Sequence, residues 1–343
     1  MVITQRSVES VYKQFMLPEP STLSLPILTL GACSWTTLFK VDAWPSGSAK
    51  IMPSAALQLG DGMSASAACA IAALEGNVVW LGRVGHDDNG KAAVRSLQAA
   101  GVDCSGIHWV DGVAGSFCTV LIDAQGERLV VPRHDPALPS AADWLPLANV
   151  HEYALVLTEV RWHEGAIAIL QAARRAGKPG VLDAEASGPG QLQQLCNEAS
   201  HILFSETGLA HWLNESASYF SQCLPDPRAL NTSISKALKK VLAQTTCELA
   251  GVTLGGEGFY WLQRADVSDA GVQHQPALKL KAVDTLAAGD VFHGAYAWAM
   301  TRSTNPHQWA RVATVAASLK CQTFGGRLGT PNLLALRQAL GEC

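Results

Sequence analysis

The sequence predicts an α/β fold: a mostly parallel central sheet with helices on both faces and a small β-sheet lid. Three observations predict it. From about residue 150 onward, apolar runs of strand length alternate with segments of helical periodicity, the pattern of a helix-covered parallel sheet. The segments near 33–58 and 106–132 are β-like and stand outside that alternation, so they form a separate lid over the strand C-terminal ends. Residues 284–300, DTLAAGDVFHGAYAWAM, pass from small residues into an apolar helix, leaving a helix start that a ligand can approach closely.

Taken in order, residues 1–25 read as an N-terminal extension that closes in the linker-like LPEPSTLSL. Residues 27–31 are an apolar run stopped by glycine, a buried parallel strand. The β-like runs between 32 and 59 are broken by Pro45-Ser46-Gly47 and by Pro53. Gly60-Asp61-Gly62 leads into MSASAACAIAAL, a helix of small residues, followed by a strand at 77–81 and a helix ending near Ala100. Three β segments come next, at 106–110, 116–123 and 127–132, the last two joined by the hairpin turn Asp123-Ala124-Gln125-Gly126. Strands are then expected at 153–157, 180–183, 201–204, 248–254 and 258–262. Helices are expected at 164–176, 233–243 and 306–321, and from Pro331 onward.

The 343 residues suffice for a large α/β domain with a sizeable core. A net charge of −4 and the lack of any Lys/Arg run argue against a nucleic-acid partner. The apolar stretches near 66–74 and 286–300 are interrupted or too short to span a membrane. The first residues, MVITQRSVESVYKQF, lack the apolar core of a signal peptide. Nine scattered cysteines without a CxxC pair read as reduced thiols of a cytoplasmic protein.

Chemistry is expected at the start of the 284–300 helix. Its first N–H groups have no internal partner and carry the positive end of the helix dipole, so they favour anions. Asp290 puts a carboxylate among those donors, and a phosphate cradle that contains a base points to phosphoryl transfer. The competing account is an ordinary capped helix start. Other motifs are discounted. Gly60-Asp61-Gly62-Met63-Ser64-Ala65 has the spacing of a dinucleotide turn, but Asp61 inside it would repel a pyrophosphate. Gly85 to Lys91 has P-loop spacing, but Ala92 replaces the Ser/Thr that would hold Mg²⁺, and a capped helix explains it better. His151-Glu152 and His163-Glu164 lack the second His of a zinc helix, and no G-x-S-x-G elbow is present.

From about residue 26 onward the chain resembles the ribokinase-like (PfkB) family of ATP-dependent sugar kinases. The motifs are Asp284-Thr285 with its small-small-Gly-Asp turn, Gly82-Arg83-Val84-Gly85-His86-Asp87-Asp88-Asn89-Gly90, and Thr253-Leu254-Gly255-Gly256-Glu257-Gly258. Within the family, Val160-Arg161-Trp162-His163, Phe204-Ser205-Glu206, Gln273-His274-Gln275-Pro276 and Ser318-Leu319-Lys320-Cys321 look most like the sulfofructose kinase group. The resemblance implies a three-layer kinase domain over 26–343. Asp290 would take the proton from a primary sugar hydroxyl. The N–H groups of Ala287, Ala288 and Gly289 would form the anion hole. Thr253, Gly256, Gly258, Ser205 and Lys320 would lie along ATP, with Mg²⁺ bridging its phosphates. Asp61, Gly62, Thr36, Lys50 and Arg161 would line the sugar site, the last two holding an anionic tail. Pairing through the lid into a homodimer is also implied, with Trp35 and Trp44 as candidate anchors.

The chain departs from the family pattern at several positions. Ala287 replaces the leading glycine of the turn, a change free of strain only at φ < 0. Thr36 stands where the first strand usually ends in an acid, and Asp61 is read as the replacement ligand for sugar hydroxyls. Glu206 is read as reaching Mg²⁺ through water. Pro132 stands where the sulfofructose group has Asn, with Arg133 beside it. A ribose or nucleoside kinase, and a non-catalytic sugar- or nucleotide-binding relative, stay open as alternatives.

Overall fold

Six parallel strands form the spine of the computed structural model, which describes residues 25–44, 47–48, 50–267 and 271–342. The expected extension at 1–25 lies outside the described residues, apart from Leu25. The chain opens with β1 (Ile27–Leu30), buried at every position. It then leaves the main sheet for the lid strands β2 (Ser34–Lys40) and β3 (Ala55–Asp61). It returns through α1 (Met63–Ala73) to β4 (Val78–Leu81) and β5 (Arg83–Gly85). Next come α2 (Asp88–Ala99), β6 (His108–Val110), β7 (Phe117–Ile122) and β8 (Arg128–Arg133).

The alternating half follows as β9 (Val156–Glu159), α3 (His163–Arg175), β10 (Gly180–Ala184), α4 (Gln191–Glu198) and β11 (His201–Ser205). It continues as α5 (Glu206–Leu213), α6 (Pro227–Gln244), β12 (Leu249–Thr253), β13 (Phe259–Gln263) and β14 (Gln273–Gln275). The chain closes with α7 (Ala288–Met300), α8 (Pro306–Lys320) and α9 (Leu333–Leu340).

The main sheet has the order β14-β13-β12-β11-β10-β9-β1-β4, with only the β12–β13 and β13–β14 pairings antiparallel. Its strands are apolar at nearly every position because both faces are covered. Period-two alternation then divides the core. Val181 and Leu203 pack with α1, α7, α8 and α9, whereas Leu182, Ile202 and Phe204 pack with α3 to α6. Small residues let helices meet closely on the first face. A Cβ on Gly294 of α7 would come within 2.4 Å of the Ala67 carbonyl oxygen of α1. Among the described residues no helix is long and apolar enough to cross a membrane.

The lid is a four-stranded sheet in the order β3-β2-β7-β8. Its inner side contributes Leu38, Leu59, Cys118, Val120 and Ile122 to an apolar cluster shared with Leu286 and Ala287. The hairpin turn forms as expected: Asp123 Oδ1 accepts from Gln125 N and Glu127 N, each at 2.9 Å. Three expectations need correction. The segment near 106–110 does not join the lid, because β6 pairs with β5 in a sheet of its own. The strand expected at 153–157 starts at Val156, since 147–152 winds into a 3-10 helix. The edge strand β14 was not expected; at three residues it is too short for a periodic signal.

Candidate active site

Parallel register brings the polar strand ends together. Asp183 pairs with Glu159, and Ser205 with Thr253, so Glu159, Asp183, Glu185, Ser205 and Thr253 lie along one edge of the sheet. This is the edge where open α/β sheets bind ligands. α7 starts above it and packs against β9 and β10.

The cradle at the start of α7 is fixed from behind by Asp284 and Lys320, both fully buried. Asp284 Oδ1 accepts from Leu286 N at 2.8 Å, and Oδ2 accepts from Gly325 N at 2.9 Å and Gly326 N at 2.8 Å. Lys320 Nζ donates to Asp284 O at 2.6 Å and lies 3.4 Å from Oδ1. The lid reaches the same turn. Thr285 Oγ1 donates to Gly126 O at 2.9 Å, and Arg128 Nη1 donates to Thr285 Oγ1 at 3.1 Å.

Ala287 is left-handed, with φ of 61°, which corrects the condition φ < 0 set by the sequence. An alanine there stores about 1–2 kcal/mol of strain. Its methyl is buried in the lid cluster with Leu38 and Leu59, which puts that strained residue in an apolar setting. Inside the turn Ala288 N donates to Thr285 O at 3.3 Å. Gly289 and Asp290 follow as the second and third helix residues, whose N–H groups have no intrahelical acceptor. A Cβ on Gly289 would meet nothing within 4 Å, so open space faces it.

Asp290 is half-buried. Burial pushes its carboxyl well above the usual range, Asp183 and Asp61 push it further, and Arg128 opposes them. On the sugar side, Asp61 Oδ1 accepts from Ser66 Oγ at 2.6 Å at the inner end of β3. Gly62 has φ of 133°, and a Cβ there would come within 2.5 Å of Ala32 O. Thr36 does not face a pocket. It is fully buried within the lid, sharing a 3.0 Å hydrogen bond with Ser34 Oγ. Lys50 is exposed. Arg161 is exposed beside Glu159, whose carboxylate accepts from Arg161 N and, at 2.7 Å, from Ala32 N.

Sequence reasoning missed three neighbours of Arg161. Burial pushes Glu159 up, against its backbone bonds and the charges of Arg161 and Arg83. Burial pushes His134 down, and Arg161 and Arg83 add to the effect. The Arg83 guanidinium sits 4.5 Å from the Trp162 ring centroid. Glu159 was legible as an acid ending an apolar run. Arg83 lay within a quoted motif but was given no role there, and His134, from a distant segment, carried no local signal.

On the other side of the sheet edge, Ser205 caps α5 by accepting from Gly208 N at 2.9 Å, and it donates to Glu185 Oε1 at 2.9 Å. Thr207 Oγ1 donates to the same oxygen at 2.6 Å. Thr253 Oγ1 donates to Phe204 O at 3.4 Å. Gly256 faces open space, whereas Gly258 is needed by the fold: φ is 92°, and a Cβ would come within 2.1 Å of Gln275 O. Lys320 is buried behind the cradle and is no surface ligand, contrary to expectation. Glu206 Oε1 accepts from Ser221 N at 2.8 Å and from Ser221 Oγ, so it braces that loop. Glu185 is the carboxylate bonded to Ser205.

Residues 55–333 match the pfkB family of carbohydrate kinases, and the chain belongs to that family. It is therefore a phosphotransferase with a hydroxyl acceptor. A crystal structure of a candidate ribokinase from Agrobacterium tumefaciens is 33% identical, with a TM-score of 0.81 over 93% of this chain and 98% of that one. The ribokinase of Lactococcus lactis is 24% identical over 92% of this chain and 97% of its own length. An ATP-dependent ribose-1-phosphate kinase of Halopiger xanaduensis is 26% identical over 78% of this chain and 81% of its own length.

Proposed function

We propose that the protein transfers the γ-phosphoryl of ATP to a primary hydroxyl of a ketose-like sugar that carries an anionic tail, as in the sulfofructose kinase group. The observation that carries the reading is Asp290 beside the open N–H donors of α7, with its carboxyl raised by burial and by Asp183 and Asp61. Phosphoryl transfer needs mainly positioning and charge stabilisation, which a preorganised helix start supplies. Asp290 accepts the hydroxyl proton as the new O–P bond forms and the bond to ADP breaks. The N–H groups of Gly289 and Asp290 meet the oxygens of the transferring phosphoryl.

The sugar lies between Asp61, Gly62 and the cradle, with its tail toward Arg161. Support for an anionic tail comes from the grouping of Arg161, Arg83 and His134, and from a relative whose named substrate is itself a sugar phosphate. Thr253, Ser205 and the open turn at Gly256 line the nucleotide side.

Mg²⁺ would meet the phosphates largely through water, since it commonly keeps several waters and is bound through one or two carboxylates plus substrate phosphates. Glu206 is the carboxylate proposed to reach it through water.

The test is Asp290→Asn. Turnover should fall by ~10³-fold or more, while thermal stabilisation by an ATP analogue persists. Substantial residual turnover would remove Asp290 as the base. A panel of neutral, phosphorylated and sulfonated sugars then identifies the acceptor. Uniform preference for a neutral furanose would favour a ribose kinase and leave the cationic group without a ligand.

A further inference from the structure

His293 lies one helical turn below Gly289 and is only 2% exposed. Both ring nitrogens face oxygen. Nδ1 is 2.7 Å from Gly289 O and 3.3 Å from Asp183 Oδ2, and Nε2 is 3.2 Å from Leu203 O. The two carbonyls can only accept, so a neutral imidazole, with one N–H and one lone pair, would leave lone pairs facing each other at one of them. Burial pushes His293 down, and its bonds to Gly289 O and Leu203 O push it back up; the geometry is satisfied when both nitrogens carry protons and Asp183 supplies the negative charge.

The surroundings make such a pair useful. Beyond the effect of burial, Asp183 from β10, Asp61 from β3 and Glu159 from β9 lie close enough to raise Asp290, and Glu185 and Glu159 raise Asp183 in the same way. Their mutual effects show in the carboxyls of Asp183 and Asp290, both raised first by burial and then by these neighbours, with Arg161 and Arg128 opposing. A triphosphate brought to this edge adds more negative charge.

We propose that His293 is a positioning residue that neutralises Asp183 and ties the first turn of α7 to β10 and β11, leaving Asp290 as the one carboxylate of the cradle that acts as base. This rests on the kinase reading of the cradle. Asp183, at the end of an apolar strand, would otherwise compete with Asp290 for a proton and repel the incoming phosphates. The imidazolium removes that charge without a surface cation that would block the acceptor.

The test is a charge-compensation cycle. In His293→Gln, kcat should fall about 10- to 100-fold, as for residues that orient a catalytic group. The acid limb of its pH profile should move upward, because an unneutralised Asp183 holds the proton of Asp290 more tightly. Adding Asp183→Asn removes the charge that needed neutralising, so the double variant should recover about tenfold over His293→Gln. A merely structural role for His293 predicts that the two losses add and the limb stays put, which would overturn the proposal. A second measurement needs no variant: the ¹⁵N resonances of His293 in the native protein should show both ring nitrogens protonated at neutral pH. A singly protonated ring would overturn it. Asp290→Asn run alongside keeps the readings separate. If that variant turns over, the kinase assignment of the cradle fails, whatever His293 does.

Discussion

Ala287 departs from the expected glycine in residue type while its backbone is left-handed. The turn needs a left-handed residue, and alanine supplies it at a cost absorbed by packing under the lid. Ala287→Val should destabilise the protein by about 1–3 kcal/mol, because a β-branched residue at positive φ is strained further. Thermal unfolding checks this; an unchanged Tm would mean the turn relaxes. At Asp290 the raised carboxyl sets the sign of a pH effect. The base must be deprotonated, so kcat/KM should fall as pH drops through a pKa above the ordinary carboxylate range. At Arg161, exchange for Met should raise KM about 10- to 100-fold for phosphorylated or sulfonated acceptors, the worth of a charge-assisted hydrogen bond. Neutral sugars should change little; equal losses for both would place Arg161 outside the tail site. Asp290 and Arg161 were singled out in the sequence because each sits in a local motif. His293 was not, since its meaning lies in oxygens contributed by β10 and β11.

At the scale of elements, the decisive piece is the turn into α7 rather than the helix. Helix formation there follows from small, apolar residues packed on α1, and nothing in that fixes where its first N–H groups point. Asp284 and Lys320 do, by holding Val283 to Gly326 in one hydrogen-bonded unit. The resemblance of Ser318-Leu319-Lys320-Cys321 implied a nucleotide ligand at Lys320, and the side chain points the other way. Its ammonium turns inward and leaves no exposed surface. Lys320→Met strands a buried carboxylate, so a loss of about 3–5 kcal/mol is expected by chemical denaturation. The paired change Lys320→Met with Asp284→Asn should cost less than Lys320→Met alone. If it costs as much, the charge pairing is not what Lys320 supplies.

At the scale of the whole molecule, the lid is both a cover and an edge. Its hairpin docks on Thr285 through Gly126 and Arg128, so the lid is tied directly to the turn that opens α7. Its outer strand β8 is exposed at all six positions, with Leu129, Val130 and Val131 standing out to solvent. An apolar edge of that kind calls for a covering partner. We propose that a second copy of the chain supplies it. Val131→Asp should then shift the protein from dimer to monomer in light scattering while the unfolding temperature of the fold changes little. A wild-type monomer at micromolar concentration would overturn this.

Sequence alone determined the α/β alternation, the separate lid, the helix start with its acid, and the family, because each depends on periodicity or on residues adjacent in the chain. Buried strands read as apolar runs, turns as glycine and aspartate, and an anion cradle as small residues before a helix. Tertiary structure decided what those residues do to one another. It put Thr36 inside the lid, turned Lys320 into the strut of the cradle, gave Ala287 a left-handed backbone, and set His293 against Asp183. The physical reason is that side-chain direction, burial and charge coupling depend on which segments the fold packs together. Parallel register brings their ends to one edge, and no local pattern records it.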